Sequence, residues 1–191
     1  MEQLKVFDKN YTYVKDESRD TVHRDGLWHE TFHCWLVDDE FVYIQKRSAM
    51  KKDFPGLFDI TAAGHILSTE TVADGIREVE EELGIEVDFS KLQSKGVVQD
   101  IIELPNFIDR EFTNVFLYEL TLAASDFSLQ REEVESVHVV ERQALINLFA
   151  NEEMTVKCVN IFDRTTARIS LRDFVPHEIN YFVQVAHMFK E

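Results

Sequence analysis

Cysteine occurs only twice in 191 residues, at Cys34 and Cys158, and there is no CxxC pair. That excludes a disulfide framework or a zinc knuckle and makes a reducing compartment the default. Glycine and proline are scarce, at six and three. The chain therefore lacks the composition of a flexible linker, and it shows no internal repeat or low-complexity tract. No apolar run approaches the roughly eighteen residues that a membrane helix needs, and MEQLKVFDKNYTYVKDE has no apolar core of signal-peptide length. The expectation is a cytoplasmic protein without a membrane partner. Basic residues are also short, with 20 Lys and Arg against 36 Asp and Glu for a formal charge of −16. A field of that sign repels nucleic acid and anionic bilayers. An anionic small molecule would need a divalent cation, held by carboxylates, to neutralise both parties.

What the chain does have is material for a core: 45% apolar residues, fifteen of them Phe, at a length that fits one ordinary domain. Residues 30–47 give two β-rich runs around Asp38 and Asp39, as a hairpin would. Residues 96–103 and 111–120 read as strands, and 141–150 as a short amphipathic helix. From Pro176 to Lys190, Ile179, Phe182, Val183, Ala186 and Phe189 share one helical face, which predicts a closing helix.

The strongest periodicity lies at 72–83, where Val72, Ile76, Val79 and Leu83 form one narrow apolar stripe. Thr71 with Asp74 has the spacing of a capping box, and Gly84 stands where a left-handed C-cap is wanted. At roughly 100° per residue, Glu78, Glu81 and Glu82 fall on one flank while Glu80 points elsewhere. Like charges at that spacing repel, and a bound divalent cation would turn the repulsion into coordination. On spacing alone, a solvated acidic face is the commoner fate of such a run.

The segment Arg77-Glu78-Val79-Glu80-Glu81-Glu82-Leu83-Gly84-Ile85 resembles the core of the Nudix box at every fixed position. Upstream, Gly64 and Glu70 keep the usual five intervening residues, but only six separate Glu70 from Arg77, one fewer than usual. The resemblance implies that Glu78, Glu81 and Glu82 hold Mg²⁺ or Mn²⁺, with the Gly64 carbonyl as a further ligand. It also implies that Glu78 or Glu82 orients or deprotonates water. The shortened loop bears on the Glu70–Arg77 salt bridge that the family implies, and leaves the helical carboxylates untouched. Glu132 and Glu133 resemble a loop from which Nudix enzymes recruit an extra acid, though a turn glutamate is usually only solvated.

A second resemblance lies in Lys46 to Gly56 and Ala63-Gly64-His65, which look like the matching segments of type I isopentenyl-diphosphate isomerases, a branch of the same superfamily. It implies a diphosphate held by Arg47 and Lys51, with Lys52 alongside. His65 becomes a candidate for a His/Glu metal site, together with His23, His29, Asp109 and Glu111. Read singly, His23, His29 and His33, beside Trp28 and Trp35, are ordinary packed or surface histidines. The isomerase also needs a cysteine directly before Gly-His, where this chain has Ala63, and it degrades the double Glu that is intact here. Both departures favour hydrolysis.

The resemblances cover roughly residues 20–150, with 151–191 as a helical extension of a single Nudix domain spanning 1–191. They imply an α+β sandwich: a mixed, curled sheet with the acidic helix on one side and other helices opposite. The leading expectation is a Mg²⁺- or Mn²⁺-dependent pyrophosphatase that cleaves a nucleoside-diphosphate-linked or isoprenoid-type diphosphate. The alternatives are an isomerase working without its usual cysteine, and a non-catalytic diphosphate binder using Arg47 and Lys51. The sequence does not give the oligomeric state; a homodimer is only the commonest outcome among homo-oligomers in general.

Overall fold

In the computed structural model, which describes residues 2–105, 107–119, 123–151 and 154–190, two antiparallel strands open the chain. These are β1 (Gln3–Phe7) and β2 (Tyr13–Ser18), and they lead into helix α1 (Arg19–Asp25). Ser18 caps α1 by accepting from the Thr21 N–H at 3.3 Å. Next come β3 (Trp28–Val37) and β4 (Phe41–Arg47), joined where expected: Asp38 Oδ1 accepts from the N–H groups of Glu40 and Phe41 at 2.9 and 2.6 Å.

The expected hairpin, however, is paired only at Val37↔Val42. Beyond that point the strands splay apart. Strand β5 (Phe58–Asp59) lines β4, and β6 (Ala62–His65) lines β3 from Thr31↔His65 to Cys34↔Ala62. Between them, the Thr61 hydroxyl accepts from the Leu36 N–H at 3.0 Å and donates to the Tyr43 carbonyl. One buried side chain thus satisfies the two backbone groups that the parted ladder leaves open.

The helix expected over 72–83 is two pieces, a 3₁₀ turn at Val72–Ile76 and helix α2 (Arg77–Leu83). Gly75 in the turn lies so close to Phe32 that a Cβ there would fall 2.7 Å from its ring. The chain tightens to seat on the sheet before the α-helix begins. Both expected ends are present: Asp74 Oδ2 accepts from the Thr71 N–H and hydroxyl at 2.8 and 2.7 Å, and Gly84 has φ 68°.

Strands β7 (Gln93–Leu104) and β8 (Phe107–Glu119) form a long hairpin, and β8 runs parallel to β3 from Trp28↔Arg110 to Val37↔Glu119. Leu120, the last residue of the expected strand, lies outside the described residues. Strand β9 (Val134–Glu141) pairs with β4 and is followed by α3 (Arg142–Ala150). Strands β10 (Val156–Asn160) and β11 (Thr166–Ile169) then extend the sheet beyond β9, and α4 (Ile179–Met188) ends the fold. The sheet is therefore mixed and curled, as expected. The 151–191 segment adds strands as well as a helix.

Alternation along β3 divides the core. Phe32, Cys34 and Leu36 share one apolar cluster with Val79 and Leu83 of α2; Trp35 and Val37 share another with Leu148 and Phe149 of α3 and Phe182 and Val185 of α4. Val79 and Leu83 are fully buried, worth roughly 1.5–3 kcal/mol apiece. The face expected for α4 is buried at Phe182, Ala186 and Phe189 and departs from expectation at Ile179. Tyr181, Phe182, Val185 and Ala186 are buried, Val183 is half-buried, and Ile179 is 43% exposed. The cause lies before the helix: Val175 N–H donates to the Phe58 carbonyl at 2.9 Å and Glu178 N–H to Asp100 Oδ1 at 2.9 Å. These anchors fix 175–178, where the His177 N–H turns back to the Val175 carbonyl at 2.7 Å, and set where α4 starts. No helix among the described residues is long and apolar enough to cross a membrane.

Thr61→Val keeps the side-chain shape but removes the hydroxyl that accepts from the Leu36 N–H and donates to the Tyr43 carbonyl. Urea unfolding should show a loss of about 2–4 kcal/mol with an unchanged slope, and a loss below about 0.5 kcal/mol would show that the wedge does not depend on this hydroxyl.

Candidate active site

The splay of β3 and β4, α1, α2 and the β7–β8 hairpin border one cleft of about 810 Å³. Its first wall is α2. Glu82 is buried, and its Oε2 accepts from Gln45 Nε2 at 3.2 Å and from the Ala63 N–H at 3.3 Å. Glu78 lies against Gly64, where a Cβ would fall 2.1 Å from its carboxyl carbon. Only glycine lets the strand and that carboxylate approach so closely. Burial pushes the Glu82 carboxyl up to about 8, reinforced by Glu78, and burial raises Glu78 as well, against the pull of Arg77. Glu81 is different. Its side chain is 55% exposed and turns back to Arg77 at 3.2 Å.

Arg77 also grips Glu70 with two hydrogen bonds, Nε to Oε1 at 2.7 Å and Nη2 to Oε2 at 3.1 Å, and its Nη2 reaches the His65 carbonyl at 3.1 Å. The salt bridge forms despite the shortened loop. Glu70 is braced in turn by the Leu67 N–H at 2.9 Å.

The second wall is built by register. Parallel pairing sets His29 of β3 beside Glu111 of β8, antiparallel pairing sets Thr31 beside His65, and α1 drops His23 over them. His23 Nε2 lies 3.1 Å from His65 Nε2. His29 Nδ1 donates to the Leu27 carbonyl at 3.0 Å, which leaves a lone pair on Nε2 facing inward. That Nε2 and Asp109 Oδ1, 3.5 Å apart, are both buried without a hydrogen-bond partner. One donor atom from each of His23, His29 and His65, and one from each of His29, Asp109 and Glu111, lie within 4.8 Å of one another. Burial lowers His29 to about 4 and His65 well below its usual value, and lowers His23 against the pull of Asp109; it raises Asp109 and Glu111. Neutral imidazoles and carboxyls deprived of solvent, with orphaned donor atoms facing one another, fit a divalent cation. Glu78 and Glu82 bring two further carboxyls, both raised by burial, to the same cleft.

The third wall carries the cations. Arg47, Lys51 and Lys52 all line the cleft. Arg47 is tied down, with Nη1 at 2.7 Å from Asp59 Oδ2 and Nη2 at 3.1 Å from the Asp53 carbonyl. Lys51 pairs with Glu133, Lys52 is exposed, and Glu132 faces the same cleft. His33 lies deeper, its Nδ1 2.8 Å from the Tyr181 hydroxyl, and burial lowers it to about 3.

Sequence reasoning missed His177 and its partners Asp59 and Asp100. His177 sits beside Pro176, in a segment read as the start of a helix, and nothing local marks it. The alignment of β5, β7 and the chain before α4 brings the three together, with His177 Nδ1 2.5 Å from Asp100 Oδ2 and Nε2 3.0 Å from Asp59 Oδ1.

The NUDIX domain model matches residues 27–159. The chain is 34% identical to a Nudix hydrolase of Clostridium acetobutylicum, over 95% of this chain and 93% of that protein. It is 32% identical to the isopentenyl-diphosphate Delta-isomerase of Corynebacterium diphtheriae, over 71% of this chain and 74% of the isomerase. A Deinococcus radiodurans protein of known crystal structure superimposes with a TM-score of 0.59, covering 78% of this chain and 89% of its own, at 19% identity. At that identity the likeness concerns the fold.

His29 and His33 are held neutral, at about 4 and about 3, whereas an unfolded chain takes up protons near pH 6.5. Stability contributed by their neutral burial is present above about pH 6.5 and lost as pH falls toward about 4. Because the raised carboxyls of Glu82, Asp109 and Glu111 push the overall midpoint the other way, the check is nitrogen NMR of the folded, metal-free protein: both rings should still be neutral at about pH 5.5, and rings that take up a second proton near pH 6.5 would show that they are charged in the folded protein.

Proposed function

Because the chain belongs to the Nudix hydrolase family, we propose that it cleaves a diphosphate bond in a nucleoside-diphosphate-linked or related organic diphosphate, using Mg²⁺ or Mn²⁺ and water as the nucleophile. The observation that carries this reading is the pair Glu78 and Glu82, forced together across Ala63 and Gly64 in a cleft whose opposite rim is cationic. Two carboxyls side by side, both raised by burial, give up their protons most readily to a bound cation, which supplies the charge that ionising them together would otherwise lack.

In this reading Glu78, Glu81, Glu82 and the Gly64 carbonyl hold the cation. When bound, it neutralises the diphosphate and lowers the pKa of water. The chain's own side chains do the rest. Glu82, which Gln45 and Ala63 hold in one orientation, or Glu78 beside it, orients the water and takes its proton. Arg77, clamped by Glu70, keeps α2 in register with the β6 end. Lys51, Lys52 and Arg47 receive the phosphates. A second cation is assigned to His23, His29, His65 and Glu111, with Asp109 alongside. The segment beyond residue 151 belongs to the same functional unit, since His177 and Val175 line the cleft.

A second reading has one observation in its favour. The His–acid cluster is assembled, and a relative of similar identity is an isopentenyl-diphosphate isomerase. It lacks a proton carrier before Gly64, where Ala63 stands. Phosphorus and proton NMR in heavy water, with Mg²⁺ and a panel of nucleoside-diphosphate conjugates, dinucleotides and isoprenoid diphosphates, separates the two. New monophosphate resonances are expected; deuterium entering an isoprenoid whose diphosphate stays intact would replace hydrolysis by isomerisation.

Glu78→Gln and Glu82→Gln should each slow hydrolysis by about 10²–10⁴-fold while keeping the unfolding midpoint. Full activity in both would remove the assignment. Cation binding has to displace the proton that Glu82 carries below about 8, so Mg²⁺ affinity and the rise in midpoint that Mg²⁺ produces should both increase from pH 6 to 8. A rise independent of pH would place the cation elsewhere.

A further inference from the structure

His177 is wedged between two carboxylates. Its Nδ1 lies 2.5 Å from Asp100 Oδ2 and its Nε2 3.0 Å from Asp59 Oδ1. An ionised carboxylate can only accept, so with both acids ionised both ring nitrogens must donate and the ring is an imidazolium. Burial works against that charge, and Asp100 and Asp59 overcome it, raising His177 to about 10. The second oxygen of Asp59 accepts from Arg47 Nη1 at 2.7 Å. Asp100, His177, Asp59 and Arg47 therefore form one array running from β7 through the segment before α4 to β5 and β4. It ends in the cleft at a guanidinium whose Nε has no partner. The other titratable groups around the ring are His33 of β3, with ring centroids 5.9 Å apart, Tyr181 of α4 at 5.0 Å, and, acting through their charge, Asp109 and Glu111 of β8.

Charge arithmetic separates this array from an ordinary buried ion cluster. With His177 charged it carries two cations and two anions; with a neutral ring it would be net negative beside a cleft meant for a polyanion. Asp59 is also shared. If His177 did not hold part of its charge, Asp59 would cancel Arg47 alone. We infer that His177 is a positioning residue which, acting through Asp59, keeps the Arg47 guanidinium fixed and its charge uncancelled where the substrate's diphosphate binds. The C-terminal segment thereby completes the site. The inference rests on the diphosphate reading above.

The test is calorimetry of the full chain with methylenediphosphonate and Mg²⁺, for the unmodified protein, H177Q, R47A and the double variant, with thermal unfolding alongside. Nitrogen NMR of the histidine rings is recorded at about pH 8.5, where a free histidine is neutral. One ring should keep both protons there. H177Q should bind the diphosphonate about tenfold more weakly or worse. The double variant should bind no more weakly than R47A alone, as expected when one residue acts through the other. Unchanged affinity in a folded H177Q, additive losses in the double variant, or no imidazolium in the unmodified protein would each overturn the inference. If H177Q does not fold, the imidazolium signal decides: it must shift when the diphosphonate binds the unmodified protein and stay still in R47A, and a signal indifferent to the ligand overturns the inference. No binding by the unmodified protein would remove the diphosphate reading too, a result distinct from binding that ignores position 177.

Discussion

The parting of β3 from β4 is the constraint on which the cleft depends. Two strands joined by a tight turn would normally stay paired, and their separation exposes a backbone donor and acceptor that the core cannot leave unmet. The Thr61 hydroxyl meets both at once, between Leu36 and Tyr43. With the wedge held open, β5 and β6 enter it. Asp59 then faces Arg47, Ala63 faces Glu82, and Gly64 passes under Glu78. Each wall of the cleft is anchored to the segment in that gap.

The same geometry explains why neighbouring acids behave differently. Glu81 and Glu82 are adjacent in sequence, yet Glu81 remains in solvent while Glu82 is drawn against Gln45 and Ala63. For Glu82, desolvation outweighs its hydrogen bonds and leaves a carboxyl that holds its proton to about 8. For Asp59 the balance reverses. It is equally deep, but contact with His177 and Arg47 overcomes burial and keeps it ionised. Stability and function oppose each other here, since even a paired buried charge such as Asp59 carries a desolvation cost that a hydrophobic replacement would not incur.

Part of this was legible in advance because it rests on local chemistry. The periodicity of Val72, Ile76, Val79 and Leu83 required a helix against a sheet, and the caps at Thr71 and Gly84 set its limits. The split of that helix was not legible, because it follows from the contact of Gly75 with Phe32, a residue on a distant strand. The face of α4 was legible at Phe182, Ala186 and Phe189, whereas Ile179 was misplaced for a similar reason: it is the first residue of the helix, set by the hold of Asp100 on the Glu178 amide, and stays exposed.

The sequence by itself determined the family and the acidic flank of α2, because these depend on residues within about two helical turns of each other; the pairing of Arg77 with Glu70 was implied only by the resemblance, across a loop one residue short, and the structure established it. The sequence also supplied the histidines and acids of the second wall as a list of residues, without their arrangement. Only the tertiary structure decided that His29, His65 and Glu111 meet, that Arg47 answers to Asp59, and that a histidine from the far end of the chain closes the array. The physical reason is register. Which side chains on separate strands face each other is set by backbone pairing and by the wedge at Thr61, and neither leaves a local mark on the residues it brings together.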